Sequence, residues 1–145
     1  MSLEAKISGL MKGEVHKIHH DSTISEAAGV LLAKDIGSLV VTGTEGPVGL
    51  ITVRDILRKV TAARADPGEV RVKDVMSYPL ISVSAEGTVG EAAKKMTEMK
   101  IKRLGVTDDR GRLTGIVTMT DIVGYVAKQE ELSDSLIRYL MYDVV

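Results

Sequence analysis

The chain has 145 residues, a formal net charge of −1 and no cysteine, which argues against a large basic surface for nucleic acid and excludes disulfides and thiolate chemistry. Its apolar runs fall short of the roughly 18 residues that a membrane-spanning helix needs, and Glu4, Lys6 and Lys12 interrupt any secretory signal near the first residue. We therefore expect a soluble, cytoplasmic protein that makes no direct contact with nucleic acid or membrane.

The first half of the chain predicts one short amphipathic flank followed by a strand, a helix, two strands and a helix. Thr23 and Glu26 form a capping box that starts the first long helix, and Gly37 is predicted to end it. The predicted elements are Leu3–Met11 (helix), Val15–Ile18 (strand), Thr23–Gly37 (helix), Ser38–Thr42 and Val48–Thr52 (a hairpin), and a helix from Thr52 to about Val60.

A polar link at residues 61–71 contains a proline stop, and the same succession of elements follows it. Thr88 and Glu91 repeat the capping box. The elements are a turn at Val72–Met76, strands at Leu80–Val83, Leu104–Thr107 and Leu113–Thr118, and a helix from Thr118 to about Glu131. The tail Ser133–Val145 predicts a last helix whose stripe of Leu136, Ile137, Leu140 and Met141 either docks on the body of the protein or contacts a partner.

The two halves are copies of one unit. A shift of 65 residues aligns Thr23–Ala28 with Thr88–Ala93, and a shift of 66 aligns Gly49–Ile56 with Gly115–Ile122. The strands are nearly continuous apolar runs, which is typical of sheets covered on both faces. We predict an α/β (α+β) fold of two pseudo-symmetric βαββα units packed sheet to sheet, with domains at 8–64 and 72–131 and a C-terminal helix at 132–145.

Two segments of the form Gly-aliphatic-aliphatic-Thr-x-x-Asp-aliphatic, each preceded by a Thr-x-x-Glu-Ala helix start, resemble the CBS-domain family, named for cystathionine β-synthase. The resemblance covers residues 8–128. It implies a stand-alone pair of CBS domains, or Bateman module, with two clefts that commonly bind AMP, ADP, ATP or S-adenosylmethionine. It also implies that such modules often stack as homodimers.

The resemblance assigns two carboxylates, Asp55 and Asp121, to the ribose hydroxyls, and two hydroxyls, Thr52 and Thr118, to the ribose or phosphate. A carboxylate at the third position of a helix offers two oxygens to a cis-diol, and nearby helix N–H groups attract phosphate. Both Thr-x-x-Asp segments are also ordinary capping boxes, so a purely structural role remains open.

In the family each cleft is built across the repeats, and the resemblance implies two unequal clefts. Lys102 and Arg103 suit a phosphate, or alternatively are solvated cations that favour a helix C-terminus. We predict tighter binding at the cleft of Asp55. The cleft of Asp55 takes Leu80, Ile81, Ile101, Lys102 and Arg103, and the cleft of Asp121 takes Val15, His16, Ser22, Ile36, Gly37 and Ser38.

The three histidines, His16, His19 and His20, are clustered near Asp21. In an extended strand His19 points away from the other two, so a three-histidine metal site requires the turn after His19 to fold back. No metal site is predicted, because a solvated strand end is the simpler interpretation.

No nucleophile elbow, Walker A segment or dinucleotide-binding loop occurs, so no catalytic residue is predicted. The leading hypothesis is a non-catalytic regulatory module that binds AMP, ADP or ATP and acts on an unidentified regulated protein, with Leu3–Met11 and Ser133–Val145 transmitting the change. The alternatives are an S-adenosylmethionine-binding module and a dimerisation scaffold without a ligand.

Overall fold

The structure, a computed structural model, describes residues 3–129 and divides into two compact units. The first unit is Val15–Ile81, and the second combines residues 3–14 with residues 82–129. The predicted tail helix Ser133–Val145, its apolar stripe and the last residues of the helix that begins near Thr118 lie outside the described residues.

The first unit contains one three-stranded sheet with two helical segments. Its elements are β1 (Lys17–His19), α1 (Ile24–Lys34), β2 (Ser38–Gly43), β3 (Gly46–Thr52) and α2 (Val53–Ile56), which continues as a π-helical segment at Leu57–Thr61. The strand order is β1-β2-β3. β1 is parallel to β2, and β2 is antiparallel to β3, so α1 is the crossover of a parallel pair.

The second unit repeats this order. Its elements are β4 (Ser82–Ser84), α3 (Val89–Met99), β5 (Arg103–Thr107), β6 (Leu113–Thr118) and α4 (Met119–Gln129). β4 runs parallel to β5, and β5 runs antiparallel to β6. The structure confirms the α/β (α+β) class and the duplicated βαββα order, with the first strand of each copy beginning two residues later than predicted.

The long helices begin where the capping residues predict. Thr23 Oγ1 accepts the Glu26 N–H at 3.2 Å, and Thr88 with Glu91 completes a reciprocal capping box. The prediction that Gly37 ends α1 is wrong, because the chain leaves both helices at a left-handed residue, Asp35 (φ 52°) in one unit and Lys100 in the other.

The prediction of a helix at Leu3–Met11 is also wrong, because only a 3₁₀ turn forms, at Ile7–Gly9. The Ile7 N–H donates to the Gly87 carbonyl at 2.9 Å, and the Val89 N–H donates to the Ala5 carbonyl at 2.9 Å. In a helix these backbone groups would bond within the segment instead, so their hydrogen bonds to the second repeat are incompatible with a helix.

The corresponding flank of the first unit comes after its own repeat rather than before it. It contains a 3₁₀ turn at Val72–Asp74, within the predicted Val72–Met76 turn. The Val72 N–H donates to the Ser22 carbonyl at 2.8 Å, and the Ile24 N–H donates to the Val70 carbonyl at 3.0 Å. Each compact unit is therefore one repeat plus a flank that the sequence places outside it.

Because the sequence lacks Phe and Trp, aliphatic side chains and a methionine form the interior. Leu39, Val40 and Val41 are each 1% exposed or less, so both faces of β2 are shielded from solvent, as the apolar run predicts. The buried cluster of the first unit is Ile18, Ile24, Ala27, Leu31, Leu39, Val41, Ile51, Val60, Val72 and Val75. No helix within residues 3–129 has the length and apolar character that crossing a membrane requires.

Candidate functional site

The two Thr-x-x-Asp segments have the same geometry in both units. The Thr52 N–H donates to Asp55 Oδ2 at 3.0 Å, and the Asp55 N–H donates to Thr52 Oγ1 at 3.1 Å. Thr118 and Asp121 make the same two bonds at 2.9 and 3.1 Å. The capping role is therefore real, and it fixes the position of each carboxylate.

The cap leaves one oxygen of each carboxylate free for another role. Fewer oxygens are available than the two that we predicted, because Oδ2 already accepts a backbone N–H in each segment. The side chains of Asp55 and Asp121 are 16% and 14% exposed, so Oδ1 is held near the surface but not in bulk water. An ionised carboxylate oxygen has room for two hydrogen bonds, so a diol can still be accepted.

A lysine faces Oδ1 in each unit, and neither lysine was predicted. Lys59 Nζ lies 3.8 Å from Asp55 Oδ1 and donates to the Val75 carbonyl at 2.9 Å. Lys12 Nζ lies 3.9 Å from Asp121 Oδ1. The spacing of Asp55 and Lys59, four residues apart on a helical stretch, is a signal that could have found the first pair. Lys12 carries no comparable signal, because it lies in the distant flank.

At one edge of the first sheet, four predicted site residues lie beside Thr52. Val15 and His16 immediately precede β1, while Gly37 and Ser38 lie at the start of β2. Ser38 is the register partner of Thr52, and the Val53 N–H donates to the Gly37 carbonyl at 3.1 Å. The Val40 N–H donates to the His16 carbonyl at 2.9 Å, which extends the parallel pairing to this edge. Ile36 is half-buried just before it.

Ser22 does not lie beside Thr52 in the first unit, and its assignment to the cleft of Asp121 stays a prediction. Ser22 follows the opposite end of β1, where its N–H donates to the His19 carbonyl at 3.0 Å. Leu80 lies beside Val48, four residues before Thr52, since its N–H donates to the Val48 carbonyl at 3.1 Å, and its assignment to the cleft of Asp55 stays a prediction. Four residues of β3 correspond to roughly 13 Å. Ile81 is half-buried.

In the second unit, the basic pair occupies the place of Gly37 and Ser38. Arg103 is the register partner of Thr118, and the Met119 N–H donates to the Lys102 carbonyl at 2.8 Å. Lys102 is exposed, whereas Ile101 and Arg103 are half-buried. The structure thus brings Lys102 and Arg103 to the edge that carries Thr118. Their predicted convergence on Asp55 stays a prediction.

The glycine that begins each motif is required by a close backbone approach. A Cβ at Gly49 would lie 2.5 Å from the Ser77 carbonyl oxygen, and one at Gly115 would lie 2.7 Å from that of Lys12. These flank residues make a two-way backbone bridge to β3 and to β6, respectively. The motif therefore encodes the docking of a flank as well as the carboxylate.

The family model for the CBS domain matches residues 7–62 and 72–128. The chain belongs to the CBS-domain family. An uncharacterized protein of Methanopyrus kandleri is 42% identical over 102 residues, which are 70% of this chain and 52% of that protein. The chain spans about half the length of that relative and 32% of the length of an uncharacterized protein of Methanocaldococcus jannaschii.

Solved structures of CBS-domain proteins share this fold. A CBS domain protein of Pyrobaculum aerophilum complexed with AMP is 29% identical, with a TM-score of 0.73 over 81% of this chain and 89% of that one. The CBS domain pair of protein MJ0100, in complex with 5′-methylthioadenosine and S-adenosyl-L-methionine, is 27% identical, with a TM-score of 0.77 over 86% and 98% of the two chains. Both of these CBS-domain proteins were solved with adenosyl ligands.

Proposed function

We propose that this chain is a non-catalytic regulatory module that binds AMP, ADP or ATP through the segments that carry Asp55 and Asp121. The observation that carries the proposal is the duplicated carboxylate, held by its own helix cap with Oδ1 turned toward a cation rather than into the cap. Such a group accepts ribose hydroxyls without first having to be ordered, which lowers the entropic cost of binding.

The AMP complex of the Pyrobaculum aerophilum protein supports an adenine nucleotide as the ligand. The second candidate, an S-adenosylmethionine-binding module, is favoured by the complex of protein MJ0100. The two classes differ in charge beside the ribose, since a nucleotide carries phosphate and S-adenosylmethionine carries a sulfonium. The basic pair Lys102 and Arg103 favours the nucleotide.

The decisive experiment compares Asp55→Asn and Asp121→Asn by isothermal titration with AMP, ADP, ATP and S-adenosylmethionine. Asparagine keeps an oxygen that can accept the Thr52 or Thr118 N–H, so the cap persists while the negative charge is lost. Hydrogen bonds to a charged group contribute about 1.5–3 kcal/mol, so we expect a ten- to hundredfold loss of affinity at the altered site. The free energy of unfolding should change little.

Asp109→Asn is the matched control, because Asp109 is exposed in the β5–β6 turn and loses the same charge. It should bind every ligand as the unaltered chain does. Thermal melts give a second measurement, since a ligand at 100 times its dissociation constant should raise the stability by about 2.7 kcal/mol. The absence of any ligand-induced shift would leave the dimerisation scaffold as the function.

The unequal affinity of the two sites is part of the proposal, with Arg103 predicted by the family resemblance to serve the site of Asp55. The register pairing of Arg103 with Thr118 suggests the competing assignment to the site of Asp121. Arg103→Gln separates them when it is combined with Asp121→Asn, which leaves only the site of Asp55 intact. Weaker AMP binding but unchanged adenosine binding in that background supports the first assignment. If Arg103→Gln weakens AMP binding only in the Asp55→Asn background, the first assignment is refuted.

We also propose that the chain forms a homodimer, lies in the cytoplasm and acts on a regulated protein that is not identified. Native mass spectrometry of the freshly purified chain reports the number of subunits and any retained adenylate in one measurement. A monomeric mass at micromolar concentration would remove the homodimer and leave the ligand proposal intact.

A further inference from the structure

His19, His20 and Asp21 form a cluster at the end of β1, on the edge opposite Thr52. An extended strand would point His19 away from the other histidines, but the turn at this end of β1 brings the imidazole rings of His19 and His20 together. Their centroids are 4.6 Å apart, with an interplanar angle of 65°. Within residues 3–129, this is the group whose nitrogen and oxygen atoms lie close enough together to hold a metal ion.

The geometry points to a surface site for a first-row transition ion, with Zn²⁺ as its probe, formed by two imidazoles and one carboxylate. His19 Nδ1 lies 3.8 Å and His20 Nε2 lies 3.7 Å from Asp21 Oδ2. Tetrahedral zinc with ligand bonds of about 2.0–2.1 Å requires ligand atoms about 3.4 Å apart. The distance from each histidine nitrogen to Asp21 Oδ2 therefore exceeds the spacing in a tetrahedral zinc site by only a few tenths of an ångström.

The backbone of the cluster is held from both sides. The His20 N–H donates to the Thr42 carbonyl at 2.8 Å, and the His20 carbonyl accepts the Lys73 N–H at 2.9 Å. Arg71 Nη1 donates to the Asp21 carbonyl at 3.1 Å. Only side-chain rotations remain to be fixed when an ion binds, which is the preorganisation that metal sites require.

The charges around Asp21 leave one of its oxygens for the ion. Lys73 Nζ donates to Oδ1 at 2.8 Å, while Oδ2 faces the imidazoles. The cations of Lys73 and Arg71 oppose a divalent ion, and the Asp21 N–H now donates to His19 Nδ1 at 3.1 Å. Both effects predict moderate rather than tight affinity.

The donor set selects the kind of ion. Imidazole nitrogens suit zinc, copper and nickel, whereas Mg²⁺ requires oxygen ligands in octahedral geometry. Three protein ligands leave a fourth position to water, as in open zinc sites. We expect Zn²⁺ to bind with one ion per chain and Mg²⁺ not to compete.

The test is a Zn²⁺ titration of the full chain, purified without a histidine tag and stripped with a chelator. His19→Ala, His20→Ala and Asp21→Asn should each weaken Zn²⁺ binding at least tenfold. His16→Ala is the matched control, because it removes the third histidine and leaves the cluster intact. The three ligands are exposed or half-buried, so circular dichroism should show that every variant folds.

Three results would overturn the site. The unaltered chain could show no saturable binding of Zn²⁺. The cluster variants could bind as tightly as the unaltered chain, or His16→Ala could lose as much affinity as they do. Adenine-ligand binding is measured on the unaltered chain and on the three cluster variants, whose altered residues lie outside the predicted adenine-ligand site. Because the zinc site does not depend on that binding, the two proposals fail separately.

Discussion

Replacement of the motif glycines by alanine tests whether each flank is an integral part of its unit. In Gly115→Ala the new Cβ would lie 2.7 Å from the Lys12 carbonyl oxygen and 2.8 Å from Met11 Sδ. Real Cβ atoms essentially never come within 3.0 Å of a neighbour, and a backbone oxygen cannot rotate away. The flank must therefore move outward from β6.

The cost follows from the bonds that this movement breaks. The Lys12 N–H donates to the Ile116 carbonyl and the Ile116 N–H to the Lys12 carbonyl, both at 3.0 Å. At about 0.5–1.5 kcal/mol for each net hydrogen bond, the loss is about 1–3 kcal/mol. Alanine also lowers the conformational entropy of the unfolded chain, which offsets about 0.4–1 kcal/mol of this loss. Gly49→Ala should cost at least as much, since its Cβ would lie 2.5 Å from the Ser77 carbonyl oxygen.

The free energy of unfolding is measured by urea denaturation of Gly49→Ala, Gly115→Ala and Gly29→Ala. Gly29 is the matched control, because it lies in the interior of α1 with nothing within 4 Å of its would-be Cβ. Its replacement should stabilise the chain by about 0.5–1 kcal/mol. If the motif variants were as stable as Gly29→Ala, the flanks would not be docked as described.

Two further predictions concern stability. Lys100→Gly should stabilise the chain by about 1 kcal/mol, because Lys100 has a left-handed φ of 57° and glycine removes that strain. Lys100→Ala keeps the strain and should not stabilise the chain. Thermal melts of both variants test the prediction. The pKa of Asp108 is lowered by the backbone N–H of Arg112, with further contributions from the Arg110 N–H and the Arg112 side chain. Since the folded pKa lies below the ordinary value of 3.8, the stabilisation is present above that pH and is lost as the pH falls through the folded value. Urea denaturation between pH 7 and pH 3 should therefore show a shallower loss for Asp108→Asn than for Asp109→Asn, and equal slopes would contradict it.

The features that the sequence predicted correctly are those with local causes. The caps at Thr23 and Thr88 act over three residues, and the hairpin turns need glycine at positive φ, as found at Gly46 and Gly111. The end of α1 was misplaced for a local reason as well. Asp35 adopts the left-handed conformation that glycine usually supplies, and aspartate tolerates it better than most residues.

The features that could not be predicted depend on partners far away in the sequence. Residues Leu3–Met11 have an amphipathic pattern, yet their backbone groups bond to residues near Gly87. Tertiary pairing therefore overrides the helical preference of a short segment. Lys12 and Asp121 are also far apart in the sequence, so their pairing carries no local signal. The turn that brings His19 and His20 together is held by the Lys73 N–H, and Lys73 lies beyond the polar link.

The duplication preserved the carboxylate of each motif, but the lysine beside it comes from a different position in each unit. Lys59 corresponds to Tyr125 in the second repeat, and Lys12 corresponds to Ser77 in the other flank. The ammonium of Lys59 is anchored to the Val75 carbonyl, whereas the side chain of Lys12 is 71% exposed. An exposed ion pair contributes little free energy, so a ligand can displace Lys12 from Asp121 at low cost. A ligand at Asp55 would instead share its carboxylate with a fixed charge. The proposed function therefore predicts different affinities at the two sites, and this effect of Lys59 opposes the tighter binding at Asp55 that the basic pair predicts.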